Sequence, residues 1–372
     1  MEDKGRNDLL NSRIACNIHY SFGMRSTRNN LLIILTLVLG LTLNNVVLAN
    51  SVEFGQDATG DPNAVKVGGA SGFLYSERIV FTAAHVIGAE NPGAIAYWER
   101  EGVIYTPGIS RIEGQKKYKV KKVLVAPTYR PRFGQDQTRI DDFAIVILQE
   151  SIPMKNEVVV ATSDNINLFI KNKAPVSMIG YGLQNPSQRT NPEWGNLSPM
   201  KMTSYLISNE ELTDYVRNNS QRIPPNQTIL DYGVPNSEKF GSVCDGDSGA
   251  GFFVEEGDTR YYLGAVGGQQ AAIPNCQSAS WATFGIGGGM SGITAANKFL
   301  DLIKTAEQIV EEDKKIDAAA AAATAEMREK LEAEAKRKAA VSKKTTIKCV
   351  KGNMTQKVTG LTPKCPKGFK KI

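Results

Sequence analysis

The chain has 372 residues, of which 41% are apolar and 22% are charged. That composition allows a buried core and excludes wholesale disorder. The formal net charge is +6, but residues 343–372 alone carry nine Lys and no acid, and residues 1–49 carry five basic and three acidic residues. Subtracting these +9 and +2 from the total leaves −5 for residues 50–342, which argues against a nucleic-acid-binding core.

Residues 1–49 have the pattern of an export signal. Arg25 and Arg28 precede an apolar run, and Val47-Leu48-Ala49 supplies small residues before a cleavage site. The run holds about thirteen residues, fewer than the ~20 of a membrane span, so we expect cleavage after Ala49 and no stable span. Because Met24 would make an ordinary start, we interpret residues 1–23 as an upstream extension. These features predict a secreted, extracellular protein.

Between Val52 and about Gly292, short β-branched apolar runs alternate with Gly, Pro and Asn turns, as in Arg78–Thr82 and Phe143–Leu148. Many short strands separated by turns indicate an all-β sandwich or barrels. Residues 183–240 are poorer in such runs, which predicts long surface loops with a helical turn at Glu210–Asn218.

After Thr294 the pattern becomes helical, with one apolar face formed by Ala295, Phe299, Leu302, Ile303 and Ala306. Residues 305–344 continue as an Ala-rich charged stretch, which predicts a helical linker.

Residues 345–372 form a Lys-rich tail with two cysteines, Cys349 and Cys365. A segment this small has little core, so we expect a Cys349–Cys365 disulfide to close it. Its sequence resembles the Lys-rich two-Cys tails of exported actinobacterial proteins. Its charge would attract an anionic cell-surface polymer, and the alternative is a solubilising tail without a partner.

Three short motifs carry candidate chemistry. His85 ends an apolar strand in FTAAHV, Asp142 precedes one in DDFAIVIL, and Ser248 lies between glycines in CDGDSGA. Taken singly, a His at a strand end is more often structural, and an acid before a strand usually solvates its edge. Glycines around a serine, however, let the backbone expose the hydroxyl and direct amide groups into one cavity. Together the three motifs indicate nucleophilic catalysis, with Asp141 as the alternative acid.

These motifs resemble the TAAH, DxAxxxL and GDSG boxes of the chymotrypsin/trypsin family of serine endopeptidases, over about residues 52–304. The separations of 57 and 106 residues suit that family. The resemblance implies two six-stranded antiparallel β-barrels and a C-terminal helix, with the site between the barrels. It makes Ser248 the nucleophile, His85 its base and Asp142 the partner of the His, with Gly246 and Ser248 N–H groups as the oxyanion hole. It implies protein or peptide substrates and no metal or cofactor.

The resemblance also implies a specificity pocket. Ser242 falls at the base of this pocket, and Gly267 and Gln269 lie in its wall. Without a buried carboxylate at the base, Arg and Lys lack a counter-charge, so we expect no basic preference. Since proteins of this fold can lose catalysis, a non-catalytic binding protein remains the alternative function.

Two further expectations follow from the same resemblance. Cys244 pairs with Cys276 beside the nucleophile, and Asp247 receives a new N-terminus at Val52 after a cut. The family's other disulfide, beside the His, is absent, because its two positions hold Ala70 and Val86.

Overall fold

The computed structural model describes residues 55–109, 115–131, 140–182, 198–219, 231–235, 243–244, 246–270, 290–341 and 343–372. The export signal predicted over residues 1–49 therefore lies outside the described residues. The described strands, in chain order, are β1 (Gln56–Asp57), β2 (Ala64–Val67), β3 (Ala70–Ser76), β4 (Ile79–Thr82), β5 (Val103–Tyr105), β6 (Lys117–Val125), β7 (Ala144–Leu148), β8 (Glu157–Val160), β9 (Pro175–Gly180), β10 (Met200–Tyr205), β11 (Tyr232–Pro235), β12 (Gly251–Glu256), β13 (Thr259–Gln270), β14 (Met290–Ala295), β15 (Thr345–Lys351), β16 (Met354–Gly360) and β17 (Lys370–Lys371). The described helices are α1 (Ala84–Ile87), α2 (Pro92–Glu101), α3 (Ser163–Asn172), α4 (Asn209–Asn219) and α5 (Leu300–Val341), with a 3-10 turn at Ala296–Phe299.

The first half of the domain is a closed barrel with strand order β2-β3-β4-β7-β6-β5. Its interior is filled by β-branched and other apolar side chains, including Val65, Val80 and Val146. Residues of β7 alternate between this interior and a second apolar cluster outside it, which contains Ile145 and Ile147. Because both faces of β7 are covered, its sequence is apolar throughout, and the predicted six-stranded barrel is confirmed here.

The second half is an eight-stranded sheet with order β1-β10-β9-β12-β13-β14-β11, in which β8 pairs with β13. Met178, Phe252, Leu263 and Ile293 pack together on one face. In the described residues this sheet does not close, so one closed barrel is seen where two were expected. Aromatic residues of both halves, including Phe81 and Tyr262 with their ring centroids 5.0 Å apart, pack between them.

Residues 183–240 contain more regular structure than expected. The predicted helical turn at Glu210–Asn218 is present as α4, but β10 and β11 also lie in this segment. Met200 and Met202 of β10 are buried while Lys201 and Thr203 are more exposed, which is the alternation of a half-buried strand. The expectation of long loops here was wrong for these two strands, because methionines and isolated polar residues give a weak strand pattern.

Two of the helices that were not expected from the sequence, α2 and α3, begin with local capping signals. Asn91 accepts a hydrogen bond from Gly93 N–H (2.9 Å) before α2, whose first residue is Pro92. Thr162 and Asn165 form a reciprocal capping box at the start of α3.

The long helix α5 continues the core before it leaves the domain. Phe299, Ile303, Ala306 and Val310 are buried in the cluster between the two halves, as the helical spacing predicted for the first three of them. Farther along, Asp313 forms a buried ion pair with Arg78 of the barrel (3.1 Å). Residues 314–340 are exposed. Within the part of the chain that is described, no helix is both long and apolar enough to cross a membrane.

The tail is a three-stranded antiparallel sheet with order β16-β15-β17. Cys349 and Cys365 form a disulfide across it, and Cys349 is fully buried. The disulfide expected for this segment is therefore present.

Candidate active site

The ends of two neighbouring strands bring His85 and Asp142 together. β4 and β7 are antiparallel with Thr82 opposite Ala144, so the residues after β4 meet those before β7. His85 lies in the helical turn α1 that follows β4. Its Nδ1 is 2.6 Å from Asp142 Oδ2, and its backbone N–H donates to Asp142 Oδ1 (2.9 Å).

This double contact fixes the chemistry of the imidazole. The Asp142 side chain is only 2% exposed, and an ionised carboxylate can only accept hydrogen bonds. Nδ1 therefore carries the proton, which leaves Nε2 as the free acceptor of the ring. That arrangement suits a base whose positive charge, once formed, is stabilised by the carboxylate. Asp141, the alternative acid, instead contacts Lys298 (2.5 Å).

Ser248 lies in a turn between two glycines that both have positive φ, Gly246 at +95° and Gly249 at +80°. An ideal Cβ on Gly249 would lie 2.2 Å from Thr82 Oγ1 and 2.9 Å from Ala83 N. Only glycine allows this approach, which packs the turn against the end of β4, three residues before His85. Among the described residues no hydrogen bond joins Ser248 to His85. Such contacts are often long without substrate and tighten in the substrate complex.

Ser71 of β3 forms hydrogen bonds to the turn that carries Ser248. Its hydroxyl donates to the Gly246 carbonyl (2.8 Å) and accepts from Tyr181 N–H (2.9 Å), while its backbone N–H donates to the Ser248 carbonyl (3.0 Å). Thr82 Oγ1 donates to the Ser71 carbonyl (2.9 Å). Ser71 is fully buried. No signal in the sequence pointed to this residue, because a serine in a strand does not indicate what its hydroxyl contacts.

Asp247, the residue before Ser248, is fully buried. Its carboxylate accepts from Gly182 N–H and Cys244 N–H, each at 2.8 Å. An ideal Cβ on Gly180 would lie 2.0 Å from Asp247 Oδ1, so this segment must carry glycine at that position. Burial raises the pKa of Asp247 to about 7, against the lowering effect of the two backbone donors. Val52, its predicted partner, lies outside the described residues.

The predicted specificity pocket is described only in part. Gly267 and Gln269 lie in β13, where the register against β14 shifts between Val266 and Gly268. Gly249 N–H donates to the Val266 carbonyl (3.0 Å), so this part of β13 begins beside the turn that carries Ser248. Ser242 lies outside the described residues. Cys244 is in a disulfide, and its predicted partner Cys276 also lies outside them. In the described part of the chain, no group of three or more His, Cys, Asp or Glu is placed to hold a metal ion.

A family model described as Trypsin matches residues 57–284, which is more than half of the chain. The chain belongs to the trypsin family. The matched region contains the three candidate catalytic residues and ends before α5, so the long helix and the tail lie beyond the trypsin match. No curated protein matches the chain.

Proposed function

We propose that this trypsin-family protein is a secreted serine endopeptidase that cuts peptide bonds through an acyl-enzyme. The observation that carries the proposal is the pairing of His85 with the buried Asp142 carboxylate, with contacts of 2.6 and 2.9 Å, beside the glycine-flanked turn of Ser248. A serine hydroxyl needs an adjacent base at neutral pH, and an oriented imidazole supplies one.

In the proposed reaction, Ser248 Oγ attacks the substrate carbonyl carbon while its proton passes to His85 Nε2. The carbonyl electrons move onto oxygen, and the Gly246 and Ser248 N–H groups stabilise the resulting oxyanion. Collapse of this intermediate breaks the peptide bond, and the imidazolium gives its proton to the leaving amine. Water then attacks the acyl-enzyme with His85 again as the base, which releases the acid and restores Ser248. Asp142 stabilises the imidazolium both when the acyl-enzyme forms and when water hydrolyses it.

The test is labelling by a fluorophosphonate probe, which phosphonylates a serine only when it is activated. We expect labelling of the wild type, and no labelling of Ser248→Ala or His85→Ala. If the folded wild type is not labelled and cuts no peptide, the alternative of a non-catalytic binding protein replaces this proposal.

We further propose that activation follows a cut before Val52, whose new ammonium group would pair with Asp247. This is supported by the buried Asp247 carboxylate, which has two backbone donors and a pKa raised to about 7. Such a group gains most from a cationic partner. N-terminal sequencing of active protein should find Val52, and active protein that begins at Asn50 would exclude this route.

Substrate preference is proposed from Ser242, Gly267 and Gln269. A serine at the base of the specificity pocket gives no counter-charge for a substrate Arg or Lys. A side chain at position 269 would narrow the same pocket. We therefore expect small or medium apolar residues before the cut. A peptide-library profile dominated by Arg or Lys would overturn this proposal. We also propose that the second sheet, like the first, curves into a barrel.

The tail is proposed as a surface-retention module, and its strand register supports this role. Lys348 lies directly opposite Lys357, and Lys370 lies opposite Val350, so all three lysines share one face of the sheet. Directly opposed like charges destabilise a strand pair, and residues 343–372 contain no acid to relieve them. A bound polyanion would remove that repulsion.

The tail is tested on immobilised heparin as a model polyanion, with a salt gradient. We expect Lys348→Gln/Lys357→Gln to elute at clearly lower salt than the wild type. The matched control, Lys343→Gln/Lys344→Gln, removes equal charge outside the sheet and should elute closer to the wild type. Equal elution of both double variants would reduce the tail to a charged solubilising segment. Deletion of 345–372 should leave peptide turnover unchanged but weaken retention on cells.

A further inference from the structure

Asp142 lies at the centre of a tight turn that is held at both ends. Phe143 N–H donates to the Asp141 carbonyl (2.8 Å), which closes a three-residue turn around Asp142. Asp141, the first residue of this turn, has a φ of +51°. Few non-glycine residues adopt this left-handed conformation, although Asp tolerates it better than most. The conformation of Asp141 sets the direction in which the Asp142 side chain leaves the backbone.

Lys298 and Phe299 are adjacent residues of the 3-10 turn before α5, and they contact the two residues that flank Asp142. Lys298 Nζ donates to Asp141 Oδ1 (2.5 Å). The ring of the next residue, Phe299, stacks on Phe143, with the centroids 5.0 Å apart and the planes 6° from parallel. The turn that carries Asp142 is therefore held by an ion pair on one side and by an aromatic stack on the other.

A second carboxylate fixes Lys298 itself. Lys298 Nζ also donates to Asp231 Oδ1 (3.1 Å), and Asp231 Oδ2 accepts from Ala295 N–H (2.8 Å). The ammonium group thus lies between two carboxylates that belong to different halves of the protein. We call Asp141, Asp231 and Lys298 the ion cluster.

We propose that Lys298 is a positioning residue for catalysis, which acts through Asp141 to hold Asp142 in line with His85; this rests on the proposed protease function. Lys298 is 42% exposed, and ion pairs this accessible to water add little to the stability of a fold. They can still fix geometry. The 2.6 Å His85–Asp142 contact is short, and catalysis is sensitive to displacements below 1 Å.

The variants separate the ion cluster from general stability. Lys298→Met removes the ammonium group and keeps most of the stem. We expect kcat/KM for a short peptide to fall about tenfold or more, in kcat and not in KM. The acid limb of the pH profile should move to lower pH, because a displaced Asp142 stabilises the His85 imidazolium less well. Lys298→Arg should restore most of the activity.

Variants of Asp141 test the ion cluster independently of Lys298. Asp141→Asn keeps a hydrogen-bond acceptor and tolerance of the left-handed conformation, so we expect a loss of a few fold. Asp141→Ala keeps neither, and we expect a loss of tenfold or more. The matched control is Lys314→Met on α5, which removes a Lys of similar exposure that pairs with Glu77 (3.6 Å). It should have wild-type kinetics.

A second readout does not depend on turnover. The proton in a short His–Asp hydrogen bond gives a far-downfield NMR signal, which should shift or broaden in Lys298→Met and stay unchanged in Lys314→Met. Folded Lys298→Met with wild-type kcat/KM, pH profile and NMR signal would overturn the inference. If the wild type has no activity at all, the proposed function fails, while the NMR comparison still tests the role of Lys298.

Discussion

Replacing Ser71 with alanine should reduce turnover although Ser71 touches no reacting atom. Its hydroxyl joins the Gly246 carbonyl to Tyr181 N–H, with distances of 2.8 and 2.9 Å. Gly246 carries a proposed oxyanion donor on its nitrogen, one peptide unit before the carbonyl that Ser71 holds. Ser71→Ala therefore loosens the turn at Gly246 without deleting the donor itself, while the backbone bond from Ser71 N–H to the Ser248 carbonyl remains.

The magnitude follows from the groups left without a partner. Complete loss of an oxyanion donor costs about 10²–10³-fold in kcat, so a released but present donor should cost about tenfold to a hundredfold. Stability also falls, because one carbonyl and one N–H become buried and unpaired. At about 1–3 kcal/mol for each of these two groups, we expect a loss of roughly 2–6 kcal/mol.

The assay compares kcat and KM with the affinity of a peptide boronate, which forms a tetrahedral adduct with the serine. In Ser71→Ala, kcat and boronate affinity should fall by a similar factor while KM changes little. The control is Ser204→Ala, a buried serine of the second sheet that donates to the Pro235 carbonyl (2.8 Å). It should lose stability only. Wild-type kcat and boronate affinity in folded Ser71→Ala would refute the reasoning.

Three further predictions concern other parts of the chain. Burial raises the pKa of Asp247 from 3.8 to about 7, so between these pH values the folded state holds a proton that the unfolded state releases. The free energy of unfolding of the uncut protein should therefore fall as the pH rises from about 4 to 7. Asp247→Asn should remove this pH dependence, measured by urea unfolding. Asp313→Asn should destabilise the domain by about 3–5 kcal/mol, because it leaves the buried Arg78 guanidinium with only the exposed and more distant Asp317 carboxylate as a charge partner. Replacing Cys349 and Cys365 with serine should cost the tail about 3 kcal/mol for its 16-residue loop and expose it to limited proteolysis, with peptide turnover unchanged.

Each of these three has a result that would contradict it. An identical pH dependence of unfolding in Asp247→Asn and the wild type would mean that this carboxyl is not the titrating group. Asp317→Asn is the control for Asp313, since Asp317 also pairs with Arg78 (3.6 Å) but is 72% exposed, and equal effects of the two would exclude the burial argument. If the tail resists protease equally with and without its disulfide, the strand pairing alone is enough to keep it folded.

The sequence predicted the strands and motifs better than the contacts between them. His85 and Asp142 could be found because each lies beside a strong apolar strand in a recognisable motif, and the β4–β7 pairing then joins them. Ser71 and Lys298 could not be found, because a single serine or lysine has the same local sequence whether or not it meets a partner far along the chain. Ser71 contacts Gly246, which lies 175 residues away.

The strand β10 shows a second limit. Its buried positions hold methionines, and its pairing with β9 supplies the hydrogen bonds that the local sequence does not indicate. Helix α2 was missed although Asn91 and Pro92 mark its start, because its own residues are only partly buried and show little apolar periodicity.

The pairing of Arg78 with Asp313 has a consequence for how the protein is made. The two residues are 235 positions apart, and the trypsin match ends before Asp313. At about 5–20 residues per second, the ribosome needs on the order of 10–50 s to pass from one to the other. During that interval the barrel lacks the helix that covers its outer side, and the Arg78 guanidinium has no carboxylate. The first half of the protein is therefore completed by a segment that is synthesised after the whole trypsin-matched region. Nascent chains stalled before Phe299 lack the apolar residues that cover this surface, so they should expose it and depend on chaperones.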